Sequence, residues 1–335
     1  MAKRQTPQMS GEDRLIARHF KPLARHPGAF GLEDDAAVLK IPPGHEVVLK
    51  TDAIVGGIHF FPNDPAEAVA RKALRVNLSD LAAKGAKPAG FLVSIALPRT
   101  VGDRWLAEFS RGLAADAKQY DCPLMGGDTD RTHGPITVSI AAFGTLPAGR
   151  MVRRRGARVG DRIVVSGTIG DAALGLRLRQ TPRMARQWQL TQAMRKHLLS
   201  RYLLPQPRNA LAGALRAHAS AAMDVSDGLV GDLIKLCRTS GVGAAIDATR
   251  VPLSPAAHKA LAFDRRLIEQ ILTGGDDYEI LATVARRDLA ALLGKARAAG
   301  VTLTEIGEVV KGQGVCVRGP DGKPMTFKRA AFSHF

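Results

Sequence analysis

Ala222-Met-Asp-Val-Ser-Asp-Gly-Leu-Val-Gly-Asp232 sets Asp224, Ser226 and Asp227 together immediately before a glycine and an apolar, helix-like run. Carboxylates three residues apart at a strand end can converge on one hard cation, and the hydroxyl between them can reach a phosphate oxygen. Gly228 lets the backbone bend there without a Cβ clash. A plainer reading competes: an Asp before Gly-Leu-Val commonly caps the helix that follows. What the rest of the chain supplies decides between them.

Downstream, the pattern predicts a helix over 229–240, a short strand over 244–246 and helical material over 254–272. Thr273-Gly-Gly-Asp-Asp-Tyr-Glu-Ile-Leu-Ala282 then repeats the theme of a Gly pair, two acids and a strand. A helix over 286–299 and short strands close the chain. Upstream, a strand over 163–166 runs into Gly167-Thr-Ile-Gly170-Asp171 and a helix, a place where an anion could bind. This turn matches neither the Gly-x-x-x-x-Gly-Lys-Ser/Thr loop nor Gly-x-Gly-x-x-Gly. Residues 183–219 read as basic, amphipathic surface helices, and Arg153-Arg154-Arg155 as a solvated face.

The first half carries the same signature. Residues 10–26 read as a helix opened by Ser10, and Asp34 and Asp35 stand at the entrance to a strand expected to end at Ile41. A strand over 46–51 leads into Asp52, followed by Gly56-Gly57 and His59. A helix over 65–84 places Asn77 and Asp80 on one face among apolar neighbours, and a buried carboxylate there needs a partner. After a strand over 89–97 and a helix over 101–120, Gly126-Gly127-Asp128-Thr129 offers backbone N–H groups to an anion and a carboxylate to its cation. A strand over 136–144 precedes Pro147-Ala-Gly149, the best domain boundary.

Length and composition narrow the classes. A chain of 335 residues implies two domains, and 45% hydrophobic with 24% charged residues is the balance of a soluble globular protein. The longest apolar run, Ala89–Pro98, is far below the roughly 20 residues of a spanning helix. The basic N-terminus lacks the apolar run of a secretory signal. Three scattered cysteines form neither a disulfide framework nor a zinc site, which points to the reducing cytoplasm. A net charge of +17 raises nucleic acid as a partner, yet 5% aromatic content gives a stacking platform little support.

Any one of these acids is ordinary; their recurrence at strand ends and Gly-rich turns of a basic chain is not. Two carboxylates about 4 Å apart repel by roughly 4 kcal/mol at an effective dielectric of 20, so a converging set requires cations. Oxygen-only donors select Mg²⁺ or a similar hard ion, which usually bridges carboxylates to phosphates. Phosphoryl chemistry needs positioning and charge neutralisation more than a nucleophile.

The ordered series Glu33-Asp-Asp-Ala-Ala-Val38, Thr51-Asp52 with Gly57-Ile-His-Phe60, Asn77-Leu-Ser-Asp80, Gly126-Gly-Asp-Thr129, Arg155-Gly-Ala-Arg158 with Gly160-Asp161, Met223 to Leu229 and Gly274-Gly-Asp-Asp-Tyr278 resembles the thiamine-monophosphate kinase family, of the superfamily of aminoimidazole ribonucleotide synthetase. The resemblance implies an α/β (α+β) two-domain fold: a flexible tail over 1–9, an N-terminal ATP- and magnesium-binding domain over 10–148 whose sheet pairs in a homodimer, and a C-terminal α/β domain over 149–335. It implies phosphoryl transfer from ATP to thiamine monophosphate. It further implies that Asp35, Thr51, Asp52, Asp80, Asp128, Asp224 and Asp227 hold several Mg²⁺ ions, that Gly127, Asp128, Arg154 and Ser226 contact ATP, and that His59, Asp276 and Phe332 line the thiamine site.

Three positions depart from the family pattern. Lys50 stands where Ser or Thr is frequent and offers an ammonium to phosphate, Asp276 is shorter than the alternative Glu, and Phe332 replaces a common Trp, which weakens stacking on a cationic ring. Selenophosphate synthetases and hydrogenase-maturation relatives call for cysteines this chain lacks. A purine-pathway synthetase is the nearest enzyme rival, opposed by the Gly274–Tyr278 motif and the aromatic tail.

Overall fold

The computed structural model describes residues 10–331, so the expected tail over 1–9 and Phe332 lie outside the described residues. Two compact units divide the chain: residues up to 43, 49–77 and 88–144 form the first, and residues 44–48, 78–87 and from 145 onward the second.

In the first unit Ser10 opens α1 (Gly11–His19) with a capping box, its hydroxyl accepting the Asp13 N–H while the Asp13 carboxylate accepts the Ser10 N–H. The helix stops at His19, well short of the expected residue 26. Pro22 lacks the N–H that another turn requires, and Lys21–Leu23 tightens into a single 3-10 turn. Then come β1 (His45–Val55), α2 (Ala66–Ala83), β2 (Lys87–Leu97), α3 (Asp103–Gln119), β3 (Leu124–Arg131) and β4 (Thr137–Pro147), of which residues 45–48, 78–83, 87 and 145–147 belong to the second unit. The strands lie in the order β1-β4-β2-β3, with β2 and β3 parallel. One face of this sheet is core, as Val138, Ile140 and Ala142 of β4 show by alternating with half-exposed neighbours. On the other face Leu49 and Leu92 are exposed.

A buried ion cluster fastens the two long helices of this unit. Asp116 of α3 accepts Arg75 Nε at 2.5 Å, Arg75 Nη2 at 2.9 Å and Arg71 Nε at 2.9 Å. Removing one partner of such a pair costs about 3–5 kcal/mol, because the survivor is left charged and buried.

Two segments depart from what their sequence pattern predicts. No strand forms over 34–41: that segment is held by the Val38 N–H to the Gly28 carbonyl, and Pro42-Pro43 takes away two ladder donors. Gly126–Thr129, expected as a turn, is the middle of β3, where Gly127 pairs with Val93. A Cβ on Gly127 would sit 1.9 Å from the Val93 carbonyl oxygen, so only glycine allows this approach.

The second unit contains β5 (Arg162–Ser166), α4 (Asp171–Gln180), α5 (Met184–Gln187), α6 (Gln192–Leu203), α7 (Ala212–His218), β6 (Ala219–Asp224), α8 (Leu229–Ser240), β7 (Gly243–Asp247), α9 (Pro255–Phe263), α10 (Leu267–Thr273), β8 (Ile280–Val284), α11 (Leu289–Ala298), β9 (Leu303–Val310) and β10 (Gly314–Arg318). Its six strands run β10-β7-β9-β5-β8-β6, parallel only between β10 and β7. Both faces are covered. Ile163, Val165, Met223 and Leu281 join one apolar cluster with α4 and α8, whereas Val164, Ala222, Ile280 and Ala282 join another with α7 and α11. Period-two alternation of apolar residues on both sides makes this a three-layer unit.

Candidate functional site

β6, the outer strand of the six-stranded sheet, delivers Asp224 at its last position. The chain then turns through Val225–Gly228 into α8. Gly228 has φ 118°, and a Cβ there would lie 2.6 Å from the Thr273 carbonyl carbon and oxygen, so the residue has to be glycine. Asp227 does not cap α8, contrary to the plainer sequence reading. Asp232, one turn inside the helix, reaches back instead: its Oδ2 accepts the N–H groups of both Ser226 and Asp227 at 2.9 Å. Its Oδ1 receives Lys235 Nζ at 2.8 Å, and the same ammonium pairs with Asp227.

Asp224 is buried, and its Oδ2 has no hydrogen-bond partner among the described residues. Burial first, and the neighbouring Asp80 carboxylate second, push its pKa up to about 8. The Ser79 hydroxyl and the Lys84 ammonium oppose that rise; Lys84 is anchored by donating to the Ala222 carbonyl at 2.8 Å, while the Ser79 hydroxyl lies outside hydrogen-bonding geometry. Asp224 is dry and one of its oxygens is orphaned, while the neighbouring Asp80 carboxylate is half-buried, so the pair gathers negative charge that a cation would neutralise. These donors fit a hard ion such as Mg²⁺. Asp80 and Asp224 are thus brought together within the second unit.

Gly274–Glu279 lies along the same turn. The Asp276 N–H donates to the Ser226 carbonyl at 2.9 Å and the Tyr278 N–H to the Val225 carbonyl at 2.8 Å, so Ser226, Asp227 and Asp276 share one double turn. Asp277 points inward: its carboxylate accepts the N–H groups of Gly170 at 2.7 Å and Ala172 at 3.2 Å. The anion expected at the N-terminus of α4 is therefore the chain's own side chain. Burial raises the Asp277 pKa well above the ordinary value, against the pull of those N–H groups. Arg154 is exposed on the same unit, its carbonyl accepting weakly from the Ser240 hydroxyl at 3.4 Å.

The first unit presents its acids differently. Asp35 is exposed in the bend after the Pro27–Leu32 segment, which packs against β3. Thr51 and Asp52 lie within β1, not at its end, and Lys50 Nζ stands 3.1 Å from Asp52. Asp128 is exposed on β3 opposite Ser94. His59 accepts the Val55 N–H on Nδ1 at 2.9 Å, which puts the proton of its neutral ring on Nε2, and Lys72 Nζ binds the His59 carbonyl at 3.0 Å. Among the described residues, no group of three or more His, Cys, Asp or Glu is assembled closely enough to hold a metal ion by itself.

Sequence reasoning passed over Ser79, Lys84, Asp232, Lys235 and Glu279. Asp232 carried a faint signal as the acid closing the 222–232 stretch. Ser79, Lys84 and Lys235 are ordinary residues until the fold sets them near a carboxylate, and Glu279 until it meets Arg201 and Arg208.

Models of the AIR synthase related family match both halves of the chain, the N-terminal domain over residues 33–146 and the C-terminal domain over 158–319. The chain belongs to this family, and within it to the thiamine-monophosphate kinases. The thiamine-monophosphate kinase of Caulobacter vibrioides is 44% identical over 95% of this chain and 89% of its own. Among solved structures, thiamine-monophosphate kinase from Stenotrophomonas maltophilia superposes with a TM-score of 0.81 at 39% identity, covering 93% of this chain and 96% of that one. A further neighbour, AaThiL complexed with AMPPCP and TMP, gives a TM-score of 0.77 at 31% identity over 92% and 97%.

Proposed function

We propose that this chain transfers the γ-phosphoryl group of ATP directly onto the phosphate of thiamine monophosphate, giving thiamine diphosphate and ADP. The observation that carries the reading is the buried, unpartnered Asp224 oxygen beside Asp80, a pair that calls for a hard cation of the kind phosphates bring with them. Full-length similarity to thiamine-monophosphate kinases, and a neighbour complexed with the ATP analogue AMPPCP and with TMP, support the choice of substrates.

In this reading Asp35, Thr51, Asp52, Asp80, Asp128, Asp224 and Asp227 hold Mg²⁺ ions, whose chemistry when bound is to neutralise charge between two polyanions. Gly127 offers its backbone to ATP without a side chain in the way, Arg154 adds a cation, and Ser226 a hydroxyl donor. His59, with its proton on Nε2, donates to the acceptor, and Asp276 and Phe332 complete the acceptor site. No general base is required, because a phosphate monoester with a second pKa of about 6 is already ionised at neutral pH.

The reading includes a homodimer, supported by the exposed Leu49 and Leu92 on the coreless face of the four-stranded sheet. The functional domains are 10–148 and 149–335. Among the described residues no helix is long and apolar enough to cross a membrane, and Cys122, Cys237 and Cys316 are free thiols, which supports the cytoplasm.

The test is an ADP-release assay against a panel of phosphorylated acceptors, with and without Mg²⁺. Turnover is expected with thiamine monophosphate and only with the metal. Faster turnover with another acceptor, or none with thiamine monophosphate, overturns the assignment.

A further inference from the structure

We infer that Glu279, clasped between Arg201 and Arg208, is a positioning residue that sets the Asp276–Tyr278 turn for the acceptor substrate; the inference rests on the proposed role of Asp276 in taking thiamine monophosphate. Glu279 is fully buried. Its Oε1 accepts Arg201 Nη2 at 2.8 Å and Arg208 Nη2 at 2.5 Å, and its Oε2 accepts Arg208 Nε at 2.7 Å and the Ser166 hydroxyl at 2.5 Å. Arg201 also donates to the Asp277 carbonyl at 3.1 Å, and Ser166 Oγ accepts the Ile280 N–H at 2.8 Å. Every bond in the set grips the chain on one side or the other of Tyr278.

That grip acts on an unusual backbone. Asp276 and Tyr278 have φ of 73° and 51°, a region that side-chain-bearing residues occupy only when their surroundings hold them there. The alternation is simple: Asp277 and Glu279 are buried and anchored, whereas Asp276 and Tyr278 are part-exposed. A buried ion cluster adds little net stability over apolar packing of the same volume, and its attested use is to fix one arrangement. Here the arrangement fixed is the turn bearing Asp276. The clasp also gives a task to the basic stretch after residue 183: Arg201 of α6 and Arg208 beyond it are spent on an internal carboxylate and are not offered to a polyanion.

The test compares wild type with Glu279→Gln and Ser166→Ala, by steady-state kinetics for both substrates and by hydrogen exchange of the peptide 274–280. Glu279→Gln should raise KM for thiamine monophosphate about tenfold while leaving KM for ATP within about twofold, since misplacing one contact group is costly only to the substrate it serves. The amides of Asp276 and Tyr278 should exchange faster. Ser166→Ala should shift the same KM and the same amides by less, and it carries the test where Glu279→Gln fails to fold. Equal rises in both KM values, or exchange unchanged from wild type, would overturn the inference. A wild-type chain inactive on thiamine monophosphate overturns the proposed function instead, and the exchange data still decide whether Glu279 holds the turn.

Discussion

The exposed acids of the first unit that the family pattern singles out are held differently from the buried acids that shape the turns of the second. In the first unit Asp35 and Asp128 stand exposed and Asp52 half-exposed beside a lysine. In the second, Asp224, Asp232 and Asp277 are buried and accept, or lack, specific partners. An exposed carboxylate can be removed at little cost to the fold, whereas a buried one is part of it.

The strongest way to break this contrast is Asp224→Asn. Turnover should fall about 10³-fold, the scale seen when a preorganised charge-stabilising group is lost. Stability should move the other way in the absence of divalent cations. Because the pKa of Asp224 rises from 3.8 to about 8, the folded chain holds more protons than the unfolded chain between those values, and stability falls as pH rises across that window. The variant escapes that fall, and its metal-free Tm at pH 8 should exceed that of wild type by roughly 4 °C. Thermal melts from pH 5 to 8 would show it; a variant that declines with pH like wild type refutes the burial argument.

Next in size, Asp52→Asn or Asp128→Asn should lower turnover about 10²-fold and change stability by no more than about 0.5 kcal/mol, as for other accessible positions. Urea titration is the check, and a large loss of stability would show that the first-unit acids are structural after all. Asp232→Ala sharpens the other side. It strands the N–H groups of Ser226 and Asp227 and one contact of Lys235, and should cost about 3 kcal/mol, read from the denaturation midpoint. The smallest effect belongs to Lys50→Ser, which removes a half-exposed ion pair to Asp52; turnover should change less than about fivefold, because such pairs are worth roughly 1 kcal/mol or less.

Much of the fold, and the acidic motifs of the candidate site, are legible in the sequence. Helix α8 begins and ends where its pattern places it, and Ser10 caps α1, whereas the adjoining of the turns about Asp224 and Asp276 is seen only in the fold. Other features are not legible, for reasons that can be named. The strand expected to end at Ile41 fails because the segment has no ladder partner, something periodicity cannot reveal. Gly126–Thr129 carries turn residues yet lies in a strand, since β2 approaches too closely for any side chain at Gly127. The basic stretch after residue 183 suggests solvated faces, but Arg201 is buried on Glu279.

By itself the sequence determined which residue types recur beside glycines and in what order, and that order carried the resemblance to a kinase family. It did so because hydrogen-bonding capacity, charge and backbone freedom belong to residues and their near neighbours. Only the tertiary structure decided which carboxylates are buried, which accept backbone N–H groups, and which are left with an empty oxygen. Those properties depend on segments far apart in the chain: Asp80 meets Asp224, Asp277 fills the N-terminus of α4, and Glu279 finds Arg201 and Arg208. The Asp224–Asp227 turn is visible in the sequence as an acidic motif; that Asp232 shapes it and that Asp80 lies beside Asp224 comes from the fold.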